Sequence, residues 1–235
     1  MIELKNITYK VFDGDQERII LDNISCVFDD GLLIAITGHN GSGKSTLTKI
    51  IMGILKPNSG SILFNGKDIT NLTIDKRANL GINYAFQQPI LFRGLTVKDL
   101  IDIATKKNNS IPQACEYLSK VGLCAKEYIN REYDKTLSGG EQKRIELALA
   151  LAKDGNYLVF DEPEAGIDLW SFEKLNSLFD NNKSNIVVSH QEKLLKIADK
   201  ILVMKNGKID MFDSSRKVLK ALNPASCKKI DGGGI

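Results

Sequence analysis

Gly38-His39-Asn40-Gly41-Ser42-Gly43-Lys44-Ser45 packs three glycines, a lysine and a terminal hydroxyl into one short run. That spacing suits the holding of a phosphate chain. Glycines allow positive φ and close backbone approach, so successive N–H groups can converge on an anion. Lys44 would reach the β- and γ-phosphates of a nucleoside triphosphate, and Ser45 would bind Mg²⁺. The expected nucleotide contacts are Gly38, His39, Asn40, Gly41, Ser42, Gly43, Lys44, Ser45 and Thr46. His39 sits at a variable loop position and takes no catalytic role. A second constellation, Asp161-Glu162, follows an apolar run. Asp161 would hold the metal, and Glu162 is the natural general base for an attacking water.

Elements of the right kind flank both constellations. Leu32 to Thr37 is apolar and partly β-branched, so it reads as a buried strand. Leu47, Ile50, Ile51 and Ile54 then recur at helical spacing. Strand, glycine loop and helix is the context a phosphate loop requires, with the anion at the positive end of the helix dipole. Tyr157 to Phe160 forms a second buried strand, and Asp161 falls at its carboxyl end, where open α/β sheets place ligands. A third string, Leu137-Ser138-Gly139-Gly140-Glu141, opens a basic helix. Ser138 and Glu141 have capping-box spacing, and a capped helix N-terminus with two glycines is also an anion site.

Elsewhere, Ile2, Leu4 and Ile7 begin a strand and Arg18 to Phe28 form another. Asn65-Gly66 and Asn206-Gly207 are hairpin turns. Thr96-x-x-Asp99 marks a helix start, Pro112 suits a first helical turn, and Gly122 ends that second helix. Lys143 to Ala152 form a third helix. The expected organisation is a single domain, 1–235. Its nucleotide core spans 1–89 and 153–222, with a helical insert over 90–152 and a flexible tail over 223–235.

Composition sets wide bounds. With 235 residues, 43% apolar and 26% charged, the chain can bury the core of one large α/β domain. A net charge of +3 gives no argument for nucleic acid, and no nucleic-acid partner is expected. No apolar run approaches the ~20 residues of a membrane helix, and charges interrupt the first apolar stretch, unlike a signal peptide. The expected compartment is the cytoplasm. Cys26, Cys115, Cys124 and Cys227 form no CxxC pair, so a zinc site is not expected. Cys115 and Cys124 read as core or near-core thiols.

In this order the motifs resemble the ATP-binding cassette (ABC) ATPases over nearly the whole chain. Leu137 to Glu141 resembles the family's signature motif, Gln87 its Q-loop glutamine, Ala165-Gly166-Ile167-Asp168 its D-loop and His190 its switch histidine. The resemblance implies a P-loop (RecA-like) α/β core with an antiparallel β subdomain and an inserted α-helical subdomain. It implies ATP hydrolysis with Mg²⁺ in a head-to-tail homodimer. There ATP lies between one subunit's phosphate loop and Ser138, Gly139, Gly140 and Glu141 of the other. Gln87 and His190 would act with Glu162 in catalysis. Ser45, Gln87 and Asp161 would surround the metal, and Asp168 would serve the D-loop.

Several positions depart from transporter ATPases. Val11 stands where an adenine-stacking aromatic is usual, with Phe12 adjacent, so loose discrimination between ATP and GTP is expected. Leu169-Trp170 follow Asp168, Gln191 follows His190, and Glu141 stands where glutamine is commoner. These departures resemble SufC, the soluble ABC ATPase of iron–sulfur cluster assembly. That resemblance implies a SufB/SufD-like scaffold as partner; the alternative is a transporter's membrane subunit. In either case the coupling surface is expected near Gln87 to Thr96.

Overall fold

The computed structural model describes residues 1–14, 16–85, 90–153, 155–164, 179 and 183–222. Gln87, Ala165 to Asp168, Leu169, Trp170, Cys227 and the tail expected over 223–235 lie outside the described residues.

Strands β1 (Ile2–Asp13), β2 (Gln16–Phe28), β4 (Ser59–Phe64) and β5 (Lys67–Asp68) form an antiparallel sheet in the order β2-β1-β4-β5. A second sheet has the order β10-β9-β3-β8-β7-β6. Its strands are β3 (Leu33–Gly38), β6 (Ile82–Ala85), β7 (Tyr157–Asp161), β8 (Ser184–Val188), β9 (Lys200–Lys205) and β10 (Lys208–Ser214). Strands β6, β7, β8, β3 and β9 run parallel, and β10 turns back antiparallel on β9. Both expected hairpin turns form. Asn65 and Gly66 take φ of 50° and 78°, and Asn206 and Gly207 take 49° and 75°. Two successive positive φ values match the twist of the flanking strands.

The central strands are buried on both faces, which explains their unbroken apolar runs. Tyr157 and Val159 of β7 pack toward β1, β2 and α1 (Lys44–Met52). Leu158 and Phe160 of the same strand pack toward the helices between β6 and β7. Those helices are α3 (Val97–Thr105), α4 (Ile111–Lys120), α5 (Ala125–Tyr128) and α6 (Gly139–Ala152). A third cluster joins Ala35, Ile201 and Val203 to α7 (Glu192–Ile197) and α8 (Ser215–Leu222).

Helix boundaries follow local chemistry. Thr96 caps α3 through a reciprocal bond with Asp99, and Pro112 lies in the first turn of α4. Helix α6 starts at Gly139, four residues before the expected Lys143, because Ser138 and Glu141 cap each other. Ile54 falls beyond α1, which Gly53 ends in a left-handed conformation. The short helices α2 (Ile74–Asn79) and α5 were not anticipated. Helix α2 carries Arg77, which is 1% exposed and donates to the carbonyls of Ile50 (2.8 Å), Ile51 (2.7 Å), Thr70 (2.9 Å) and Leu72 (3.1 Å). A remote guanidinium therefore satisfies the carbonyl end of the phosphate-loop helix.

One cysteine sits differently from its sequence reading. Cys124 is exposed, at the start of α5. Lys143, in the basic helix, is buried and paired with Glu146 at 3.2 Å. Cys115 is half-buried, as is Cys26, whose thiol burial pushes up to about 12.

Candidate active site

The loop between β3 and α1 is built against the hairpin β9–β10 and strand β2. Gly38 has φ 139°, and a Cβ there would stand 2.1 Å from the Met204 carbonyl oxygen. Gly43 has φ 100°, and its Cβ would meet Leu21 Cδ2 at 2.6 Å and the Ile20 carbonyl oxygen at 3.0 Å. Both positions therefore exclude any side chain, by conformation and by space. Lys44 is 5% exposed, and its Nζ donates to the carbonyls of Gly38 (2.9 Å) and His39 (3.1 Å). Burial lowers its pKa, while Glu162 and Asp161 oppose that shift. The Ser42 hydroxyl is buried with no hydrogen-bond partner among the described residues. A cation and an orphaned hydroxyl inside one glycine loop are complementary to a polyanion.

Strand β7 delivers the acids. Asp161 is 1% exposed. Its Oδ1 accepts from Ser45 Oγ at 3.0 Å, and its Oδ2 accepts from the Tyr84 hydroxyl at 3.0 Å. Burial, with Asp161 next, pushes the Tyr84 phenol well above its usual range. Glu162 takes φ 48°, an uncommon conformation for a non-glycine residue. Its N–H donates to the Val188 carbonyl at 3.0 Å, which ties it to β8. His190 follows β8, and its Nε2 lies 3.8 Å from Glu162 Oε1. Burial first, then the Lys44 charge, lowers the His190 pKa against the pull of Glu162. The imidazole is thus held toward its neutral form. Glu164 accepts from Ser189 Oγ, whose oxygen in turn accepts from the Gln191 N–H at 3.0 Å. Burial raises the Glu164 carboxyl, with the Ser189 bond opposing.

The α6 terminus stands apart. Ser138 Oγ accepts from the Glu141 N–H at 3.3 Å, and Glu141 Oε2 accepts from the Ser138 N–H at 2.6 Å. Tyr128 also donates to Glu141, and that bond is the largest cause holding this carboxyl below its usual range. Neither cleft around the phosphate loop is lined by Ser138, Gly139, Gly140 or Glu141.

One fold thus gathers much of the predicted set. A cleft of about 460 Å³ is lined by Asn40, Gly41, Gly43, Lys44, Ser45, Thr46 and Glu162. Gly38, His39 and His190 line the adjoining one. Tyr84, Arg18, Ile20 and Glu164 escaped the sequence reading. Only Tyr84 left a signal there, as a lone phenol near the carboxyl end of β6, just before Gln87. Arg18 and Ile20 gave none, because they belong to a distant hairpin.

A parallel sheet carrying a glycine phosphate loop, with a carboxylate pair on a neighbouring strand end, defines a nucleoside-triphosphate hydrolase fold. Residues 21–165 match the ABC transporter family, and the chain belongs to that family. It is 37% identical over 211 residues to an uncharacterised ABC transporter ATP-binding protein of Methanocaldococcus jannaschii, covering 85% of this chain and 84% of that protein. It is 33% identical to the energy-coupling factor transporter ATP-binding protein EcfA2 of Acetivibrio thermocellus, covering 93% and 82%. Among solved structures, the dimeric form of a bacterial ABC transporter cassette superposes with TM-score 0.83 at 26% identity, covering 92% of this chain and 99% of that one. A dimeric post-hydrolysis cassette bound to ADP and Pi gives 0.82 at 26% identity, with the same coverage. The chain is an ABC-type ATPase that binds and hydrolyses ATP.

Proposed function

We propose that this chain is the ATP-binding subunit of a membrane transporter. The observation that carries the reading is its match to transporter ATP-binding proteins over more than four-fifths of their length. The expectation of a SufC-like role with a SufB/SufD-like scaffold draws no support from these relatives. A surface groove supports a membrane partner. A groove of about 190 Å³ between β6, α3 and α6 is lined by Ile90, Phe92, Leu100, Ile103 and Leu149, with Tyr84 and Glu146 also on its wall. Ile90, Phe92 and Ile103 are exposed. Such a groove suits the apolar face of a helix from the membrane subunit.

In the ATPase step, Lys44 and the loop N–H groups hold the β- and γ-phosphates. The Ser45 hydroxyl and the Asp161 carboxylate, 3.0 Å apart, are hard oxygen donors that fit Mg²⁺. When bound, Mg²⁺ would neutralise charge on the phosphates. Glu162 is positioned to accept the proton of the attacking water. His190, whose Nε2 lies 3.8 Å from Glu162, can donate toward the γ-phosphate. Gln87 and Asp168 keep the metal and D-loop roles implied by the family resemblance. Ser138 to Glu141 lie outside the nucleotide clefts, which supports their serving a second subunit in a homodimer.

The test is affinity isolation from native cells of the Glu162→Gln variant loaded with ATP, in separate soluble and membrane fractions. A polytopic membrane protein as stoichiometric partner supports the reading. A soluble partner carrying iron and sulfide in anaerobic preparations would replace it with the cluster-assembly reading.

A further inference from the structure

The cleft that receives the nucleotide has two chemically distinct ends. One end is the phosphate loop with Glu162. The other is formed by Arg18 and Ile20 of β2. With the triphosphate on Lys44, Ser45 and Thr46, the base must extend toward the second end. Strand β2 is packed directly on the loop there, since a Cβ on Gly43 would touch the Ile20 carbonyl. The β1–β2 pairing runs Tyr9↔Leu21 and then Lys10↔Ile19, so Ile20 is the extra residue of a bulge. Bulges re-aim side chains beside functional sites.

Register decides which neighbours of Arg18 share its face. Val11 pairs directly with Arg18, whereas Phe12 pairs with Glu17. Partners directly opposite point to the same side, and adjacent residues to opposite sides. Phe12 therefore lies on the far face with Glu17 and Lys10, which form an ion pair at 2.7 Å. Its ring is 71% exposed and turned away from the cleft. The adjacent aromatic is thus unable to substitute for Val11. Arg18 forms no ion pair among the described residues, so its planar guanidinium is available to a ligand.

We propose that Arg18 is the nucleobase platform of this ATPase, its guanidinium stacking on the purine above an aliphatic floor of Ile20 and Val11. A guanidinium stacks on aromatic faces in a way an ammonium cannot. The site therefore takes purine nucleoside triphosphates generally, with Arg18 setting the loose base preference. The inference rests on the phosphate-loop reading above.

Binding of ATP, GTP and inorganic tripolyphosphate, each with Mg²⁺, is measured by titration calorimetry. The wild type is compared with Arg18→Ala, Arg18→Lys, Phe12→Ala and Lys44→Ala. Arg18→Ala is expected to weaken ATP and GTP about fivefold, the scale of an exposed cation–π contact, and to leave tripolyphosphate unchanged. Arg18→Lys should recover only part of the loss, because an ammonium keeps the charge but not the planar stack, and Phe12→Ala should behave like the wild type. Equal loss of tripolyphosphate, full rescue by lysine, or an ATP loss in Phe12→Ala overturns the proposal. Unchanged ATP binding in Arg18→Ala beside abolished binding in Lys44→Ala refutes the Arg18 platform alone. Undiminished binding in Lys44→Ala refutes both readings.

Discussion

Tyr84→Phe removes one oxygen and tests how Asp161 is held. The Asp161 carboxylate is 1% exposed and takes one hydrogen bond on each oxygen, from Ser45 and Tyr84, both at 3.0 Å. The variant keeps the ring and leaves Oδ2 without its phenol donor. A hydrogen bond to a charged group contributes about 1.5–3 kcal/mol. Tyr84 is only half-buried, so water recovers part of that and the low end, about 1.5 kcal/mol, applies. For a chain of this size each kcal/mol moves Tm by about 2–4 °C, so a fall of about 3–6 °C is expected by circular dichroism. Steady-state kinetics should show a lower kcat, because the carboxylate beside Ser45 is no longer fixed from both sides. KM should hardly move, because the phosphates rest on Lys44 and the loop. An unchanged Tm together with an unchanged kcat would refute the reasoning. A fall in Tm with kcat intact would reduce Tyr84 to a structural role.

Glu162→Gln should retain ATP binding and lose about 10²–10⁴-fold in turnover, the usual contribution of a general base; a colorimetric phosphate assay reads this, and normal turnover would remove Glu162 from the chemistry. Arg77→Met removes a donor from four carbonyls, one of which, Ile50, keeps the Gly53 N–H, and should cost about 2–4 kcal/mol in urea unfolding, with a change under about 0.5 kcal/mol counting against its capping of α1. Glu164 binds its proton more tightly in the folded state, so its contribution is full below the ordinary carboxyl value and is lost as pH rises from there through the raised folded value. Glu164→Gln mimics the protonated acid and should exceed the wild-type Tm at neutral pH, with the gap closing in acid. A constant gap at every pH would show that burial of Glu164 is not the cause.

Much of the fold was legible because its local signals are strong. Asn-Gly pairs adopt successive positive φ at little cost, so both hairpins were readable. Caps at Thr96 and Ser138 are local side-chain-to-backbone bonds, so the start of α3 was readable from spacing, and the cap spacing of α6 was visible although its first turn was read four residues late. Helices α2 and α5 were not readable, because so few residues carry no periodicity. The fate of Lys143 was hidden for a different reason. Its burial depends on Glu146 one turn on and on the helices packed around α6, not on its own charge.

The sequence by itself determined the phosphate loop, the acids at the end of β7 and the histidine after β8, because each is a short string whose chemistry follows from residue type and spacing. Only the tertiary structure decided how distant segments complete them. The Tyr84–Asp161 bond joins residues 77 apart in the chain, Arg77 caps a helix from 26 and 27 residues away, and Arg18 reaches the cleft through a bulged hairpin. Contacts of that range depend on strand order and register, which are set by burial of the whole sheet and leave no local mark in the chain.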